Sequence, residues 1–237
     1  MIGRAVEPNA LNRRVFAKTI GDSGMVDPGD PVGIATSNNP DPSSGARPRA
    51  GLDRVRSLFL MFVNPGAALK GALADVSPKF ALTVSGAAFG LLFLQTGLDL
   101  LRIGSPTFPL LAASGLLGVI GLCLLGILYG TLGVSLLGTL AFAATRPFGA
   151  TLPLGPTVRA IALGYSPALF YALFGVAANL LLGWNTTVAF GVTGLLWALG
   201  PMIATLRSML GGQPYLSVIL ATLLGGFMLF GWAFLGT

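Results

Sequence analysis

Few side chains in the later part of the chain could carry a charge or act as a nucleophile. Beyond Phe80 they are Asp99, Arg102, Arg146, Arg159, Arg207 and the lone thiol Cys123. The chain has no histidine, which excludes a histidine metal centre and a histidine general base. One cysteine cannot close an internal disulfide, and Cys123 lies in an apolar run where a thiolate is unfavourable. There is no Gly-x-Ser-x-Gly elbow, no phosphate-binding loop and no carboxylate pair within a predicted fold. The expectation is a non-enzymatic chain with no catalytic residue, metal or cofactor.

The polar residues that remain in the apolar runs are mild ones, among them Gln95, Thr131, Ser135, Thr193, Thr205 and Asn179. Asn179 is the most costly to bury. It lies one turn beyond Gly175 and is flanked by alanine and leucine. A carboxamide facing lipid leaves its polar atoms unpaired, so Asn179 is expected to face another helix, with Gly175 clearing the space. A packing hydrogen bond is the plainer use for it; a ligand or partner contact is the sharper one. No acid or base falls near the centre of an apolar run, which weighs against ion-coupled transport.

The elements that must position these residues are apolar helices. Just 9% of the 237 residues are charged, far below the quarter usual in soluble domains. A span needs about 20 apolar residues to cross roughly 30 Å of hydrocarbon. Four runs fit: Phe80 to Leu98, ended by Asp99 and Arg102; Ala160 to Leu182; Val188 to Leu206; and Leu216 to Leu235. Trp184 and Trp232, near the ends of their runs, are expected at the interface. The run from Pro109 to Thr145 would be about 55 Å long as a helix, too long for one upright span and short for two. Gly130-Thr131-Leu132-Gly133 could make a hairpin there.

Charge decides between these options. Ten of the fourteen lysines and arginines precede Phe80. One span over 109–145 keeps Arg146, Arg159 and Arg207 on the side of that basic N-terminal region, as the positive-inside rule requires; two spans would move them across. The predicted fold is therefore an all-α polytopic transmembrane bundle of about five spans over 79–237. Its N-terminus would be cytoplasmic and its C-terminus outside. The basic net charge suits anionic headgroups rather than nucleic acid.

Residues 1–50 are polar and rich in proline, serine and glycine, and are predicted to be a disordered tail. Residues 51–78 carry Leu58, Phe59, Phe62, Leu69, Leu73 and Val76 at roughly helical spacing among basic residues. They read as an amphipathic helix at the headgroup surface or as one docked on the bundle end. Gly86 and Gly90, and Gly126 and Gly130, form GxxxG pairs. Such faces let helices approach closely, within one bundle or against a second copy or another membrane protein.

Three segments carry a family resemblance. Ala160 to Leu169 reads AIALGYSPAL, with Gly164-Tyr165 ahead of Pro167. Phe62-Val63-Asn64-Pro65 precedes the first span, and Leu196-Trp197-Ala198-Leu199 with Arg207 precedes the last. Together they resemble the Yip-domain (Ypt-interacting protein) family over about residues 55 to 237. The resemblance implies five helices, a cytoplasmic N-terminus and, for eukaryotic members, an adaptor role in vesicle traffic. Those members carry an acidic Asp-Leu-aromatic-Gly-Pro motif where this chain has Phe62-Val63-Asn64-Pro65-Gly66, so it looks more like the divergent prokaryotic branch, and binding of small GTPases is not implied. The residues singled out for structural or partner-contact roles are Gly164, Tyr165, Pro167, Gly175, Asn179 and Pro201. Tyr165 reads as an interfacial anchor or, as the resemblance implies, an element of the family's helix-entry turn, and Pro167 and Pro201 as kinks or as a gate or hinge. The runner-up reading is a permease-like or accessory subunit of a transport complex.

The topology has a direct check. Reporters active only outside the cytoplasm, fused after Thr237 and after Gly211, are expected to give activity at the first site and none at the second. Equal activity at both would remove the five-span arrangement.

Overall fold

A computed structural model describes residues 50–68, 76–103 and 115–236. Most of the expected N-terminal tail lies outside these residues. Among them there are helices and no strand. Helix α1 (Ala50–Val63) is followed by five helices long and apolar enough to cross a membrane, as an integral membrane protein requires. They are α2 (Pro78–Ile103), α3 (Leu116–Phe148), α4 (Leu154–Leu182), α5 (Thr187–Met209) and α6 (Pro214–Gly236).

Within the described residues the long run is one helix from Leu116. Gly130 to Gly133 does not turn the chain back; Tyr129–Gly133 forms a π-helical turn inside α3. A π-turn widens the helix by a residue and often marks a place where packing demands it. Here the Tyr129 ring meets Phe89 edge-on at 5.2 Å, and its hydroxyl donates to the Met228 carbonyl on α6 at 2.9 Å. Tyr129 thus ties α2, α3 and α6 together.

Helix α2 is the hub. In its most apolar stretch 67% of residues are buried, against 17% for α6, which is mostly free to face lipid. The α2–α3 contact is built from the two GxxxG pairs, which meet each other. A Cβ on Gly126 would lie 2.5 Å from the Phe89 carbonyl oxygen and 3.0 Å from Gly90 Cα. One on Gly130 would lie 2.5 Å from the Ser85 oxygen and 3.0 Å from Gly86 Cα. The partners fall in number on one helix as they rise on the other, so the pair is antiparallel. These four glycines serve contact within the chain.

Helix α1 docks on the bundle. Phe62 stacks on Trp197 at 5.6 Å and meets Phe170 edge-on at 5.9 Å, and Met61 is buried. Trp197 lies near the middle of α5, so the contact is along the side of the bundle and not at its end. Asn64 then turns the chain, its Oδ1 accepting from the Ala67 amide at 3.2 Å. Leu69 and Leu73 of the expected amphipathic stripe lie outside the described residues.

Helix α4 is broken in the middle. Its α-helical parts are Leu154–Leu163 and Ser166–Leu182, with Gly164-Tyr165 between. Pro167 sits in the first turn of the second part, where its missing N–H leaves no bond unmade.

The glycine contact can be tested on α3 alone. Gly126→Ala presses a methyl group onto backbone and is expected to lower the melting temperature in detergent clearly, a cost of about 1–3 kcal/mol. Gly121→Ala, where nothing lies within 4 Å, should leave melting unchanged. Equal melting of the two variants would refute the close approach.

Candidate functional site

The polar residues of the bundle gather where the end of α2 meets the α4–α5 turn. Gln95, Asp99 and Arg102 are spaced four and then three residues apart, which places them on one face of α2. Ala172, Gly175 and Asn179 form the facing stripe on α4. The two stripes pair in register, so α2 and α4 run parallel.

At the first rung, Gln95 Nε2 donates to the Ala172 carbonyl at 2.5 Å. Gly175 makes room for that amide, since a Cβ there would lie 2.7 Å from Gln95 Cδ. The space that Gly175 was expected to clear for Asn179 is thus filled by Gln95. At the second rung, Asn179 Nδ2 donates to Asp99 Oδ1. Asn179 is fully buried and faces another helix, as anticipated.

Asp99 does not end its helix. α2 continues to Ile103, and Asp99 is only 7% exposed. Its other oxygen, Oδ2, accepts from the backbone amides of Thr186 and Thr187, both at 3.0 Å. Those amides open α5, whose first turn has no cap from its own side chains. Asp99 therefore caps α5 from a different helix. An anion at a helix N-terminus meets the positive end of the helix dipole and satisfies amides that have no partner within the helix.

Arg102 makes the complementary contact. Its Nη2 donates to the Asn179 carbonyl at 2.8 Å, in the last turn of α4. The Gly183 amide donates to the same oxygen at 3.1 Å, with Gly183 at φ 70°, the left-handed conformation that ends α4. A cation at a helix C-terminus is likewise favourable. Two opposite charges one turn apart on α2 thus contact the two ends of the α4–α5 hairpin.

Several oxygens in this region have no protein hydrogen-bond partner: Gln95 Oε1, Asn179 Oδ1, Thr186 Oγ1 and Thr187 Oγ1. They give the seam capacity for a small hydrogen-bonding species. Its charge is already balanced by Arg102 and the α5 N-terminus, so the local field does not favour a further cation. No group of three or more histidine, cysteine or acidic residues able to hold a metal occurs among the described residues.

The remaining singled-out residues meet elsewhere, at the α4 break. Tyr165 is buried, its ring 5.2 Å from Phe89. It is a core residue and not the interfacial anchor its sequence context suggested. Trp232 is likewise buried, against Gly191, while Trp184 is exposed at its helix end. Gly164 packs on Pro201, where a Cβ would lie 3.5 Å from the proline Cβ. So Gly164, Tyr165 and Pro167 lie at the break within α4, with Gly164 facing Pro201 of α5, and Gly175 and Asn179 belong to the polar seam. From sequence, Gln95 was noted only as a mild polar residue and Asp99 and Arg102 only as charges at the end of a run, while Thr186 and Thr187 were not noted at all. The spacing of Gln95, Asp99 and Arg102 on one helical face was the signal that could have found them.

No family model, curated protein or solved structure matches the chain.

The seam predicts coupled effects on stability in detergent. Asn179→Leu strips one donor from a buried carboxylate and should cost about 1–3 kcal/mol. Asp99→Leu should cost more, because it leaves the Thr186 and Thr187 amides and the Asn179 amide without their acceptor. Gly175→Ala should destabilise by displacing Gln95, and Gln95→Ala should relieve much of that loss. Thermal melting of the single and double variants measures the coupling; strict additivity would break the assignment of Gly175 to Gln95.

Proposed function

We infer that this chain is a non-enzymatic membrane adaptor or organising protein of the Yip-like class, in a prokaryotic cytoplasmic membrane with its N-terminus inside. One observation carries the reading. Asp99, the single acid in the spanning helices, is spent on holding the α4–α5 turn, and so is not a free carboxylate on a substrate path. Hydroxyls elsewhere in the bundle bond their own helices: Thr96 to the Leu92 carbonyl, Thr139 to that of Ser135 and Thr205 to that of Pro201. What the bundle leaves outward is apolar side chain, most of all on α6. Such a molecule acts through lateral contact. The inside position of the N-terminus is supported by the gathering of Lys79, Arg146, Arg159 and Arg207 at the end where α2 begins, with Arg102 at the other. The Yip-like reading rests on the Gly164-Tyr165-Pro167 segment and its place at a helix break.

A second reading, a permease-like or accessory transport subunit, draws on the unpartnered oxygens beside Asp99. The two are separated by purification in mild detergent followed by identification of bound proteins, with reconstitution into liposomes in parallel. The adaptor reading expects a defined membrane-protein partner retained by the wild-type chain, and cysteines placed along the seam closed to water-soluble thiol reagents. Reagent access continuing from Thr186 to Gln95 would favour transport instead.

A further inference from the structure

A groove of about 420 Å³ runs along the outer seam of α2 and α3, lined by Lys79, Thr83, Ala87, Ile127 and Thr131 among others. It is apolar despite two threonines. The Thr83 hydroxyl donates to the Lys79 carbonyl at 2.9 Å, and that of Thr131 to the Ile127 carbonyl at 2.8 Å. Both hydroxyls are used within their own helices. The floor is closed by the glycine contact, where a Cβ on Gly86 would lie 2.8 Å from the Thr131 methyl. Lys79 sits at one end, exposed, and its ammonium makes no ion pair among the described residues.

The dimensions and charge suit one kind of occupant. Lys79 is in the first turn of α2, where the helix leaves the polar region. Ala87 lies eight residues on, about 12 Å deeper at the helical rise. That is close to half of a hydrocarbon core roughly 30 Å thick, or one leaflet. The trough is bounded by the small residues Gly86 and Ala87, and a cation stands at its mouth. We propose that this groove is a binding site for a single anionic phospholipid, its acyl chain laid along Thr83, Ala87 and Ile127 and its phosphate held by Lys79. A zwitterionic lipid can fill the trough but gains less from the lysine, so the site selects on headgroup charge. The proposal does not depend on the adaptor reading.

The full chain, purified in mild detergent, is examined by native mass spectrometry and thermal melting with phosphatidylglycerol or phosphatidylcholine of identical acyl chains. Expected is retention of one phosphatidylglycerol with about a fivefold preference over phosphatidylcholine, together with a higher melting temperature. Lys79→Ala should abolish the preference while leaving weak binding of both lipids. Ala87→Trp, which fills the trough, should remove retention of both. Leu136→Trp, on another exposed part of α3, should change nothing. If Ala87→Trp fails to fold, Thr83→Trp at an exposed groove position replaces it. Equal retention of the two lipids by the wild-type chain, or undiminished retention in the filled-groove variant, overturns the proposal. So does conversion of a dimer to a monomer by Ala87→Trp with no effect of lipid, since the groove would then seat a second copy.

Discussion

The bundle depends on the clamp that the end of α2 places on the α4–α5 turn. Asp99 takes the amides that open α5, and Arg102 takes a carbonyl that closes α4. Thr186 and Thr187 are buried, and a buried amide left without an acceptor costs about 1–3 kcal/mol. A tight interhelical turn of Gly183 to Thr186 concentrates such groups in one place. A pair of opposite charges on a neighbouring helix answers both ends at once, each matched to the dipole it faces. The same arrangement explains how Asp99 can be buried: three donors surround its carboxylate, two of them backbone amides that cannot swing away.

The clamp needs α2 to lie close to both α3 and α4, and glycine makes that possible on each side. Toward α3, Gly86 and Gly90 meet Gly126 and Gly130, and backbone touches backbone. Toward α4, Gly175 removes a side chain so that the Gln95 amide can reach the Ala172 carbonyl. Helices in lipid gain no hydrophobic drive from pairing, so dispersion at short range and polar contacts must supply it. The hub helix receives both, one on each face. The outer helix α6 packs mainly on α5, where Leu199 lies against Gly225, and is tied further by Tyr129 to the Met228 carbonyl and by Trp232 against Gly191.

The middle of the bundle is shaped by irregular backbone. α3 carries a π-turn at Tyr129, α4 breaks at Gly164-Tyr165, and α5 begins with a π-turn and contains Pro201. Tyr129 and Tyr165 both pack on Phe89, from α3 and α4 respectively. The irregularities let large rings turn inward where straight helices would keep them apart. Helix α1 lies against the outside of this region, with Phe62 on Trp197.

The helical class and the spanning segments were legible in the sequence because they follow from length and apolar content. A run that can bury no charge and must satisfy its own backbone has one solution in lipid. The single-helix reading of the long run was legible too, because Arg146, Arg159 and Arg207 constrain which loops share a side. Asn179 was recognisable as a buried polar group for the same reason. What the sequence could not show was its partner. Asp99 looked like a helix terminator, since a carboxylate near the end of an apolar run ordinarily reaches water. Its burial follows from amides some ninety residues away, at the start of α5, and only the folded arrangement brings them within reach. Tyr165 and Trp232 read as interfacial by position along their runs, yet depth and direction depend on the kink in α4 and the neighbours of α6. Local pattern determines that a residue lies in a helix in the membrane; which helix it faces is settled by how the helices pack.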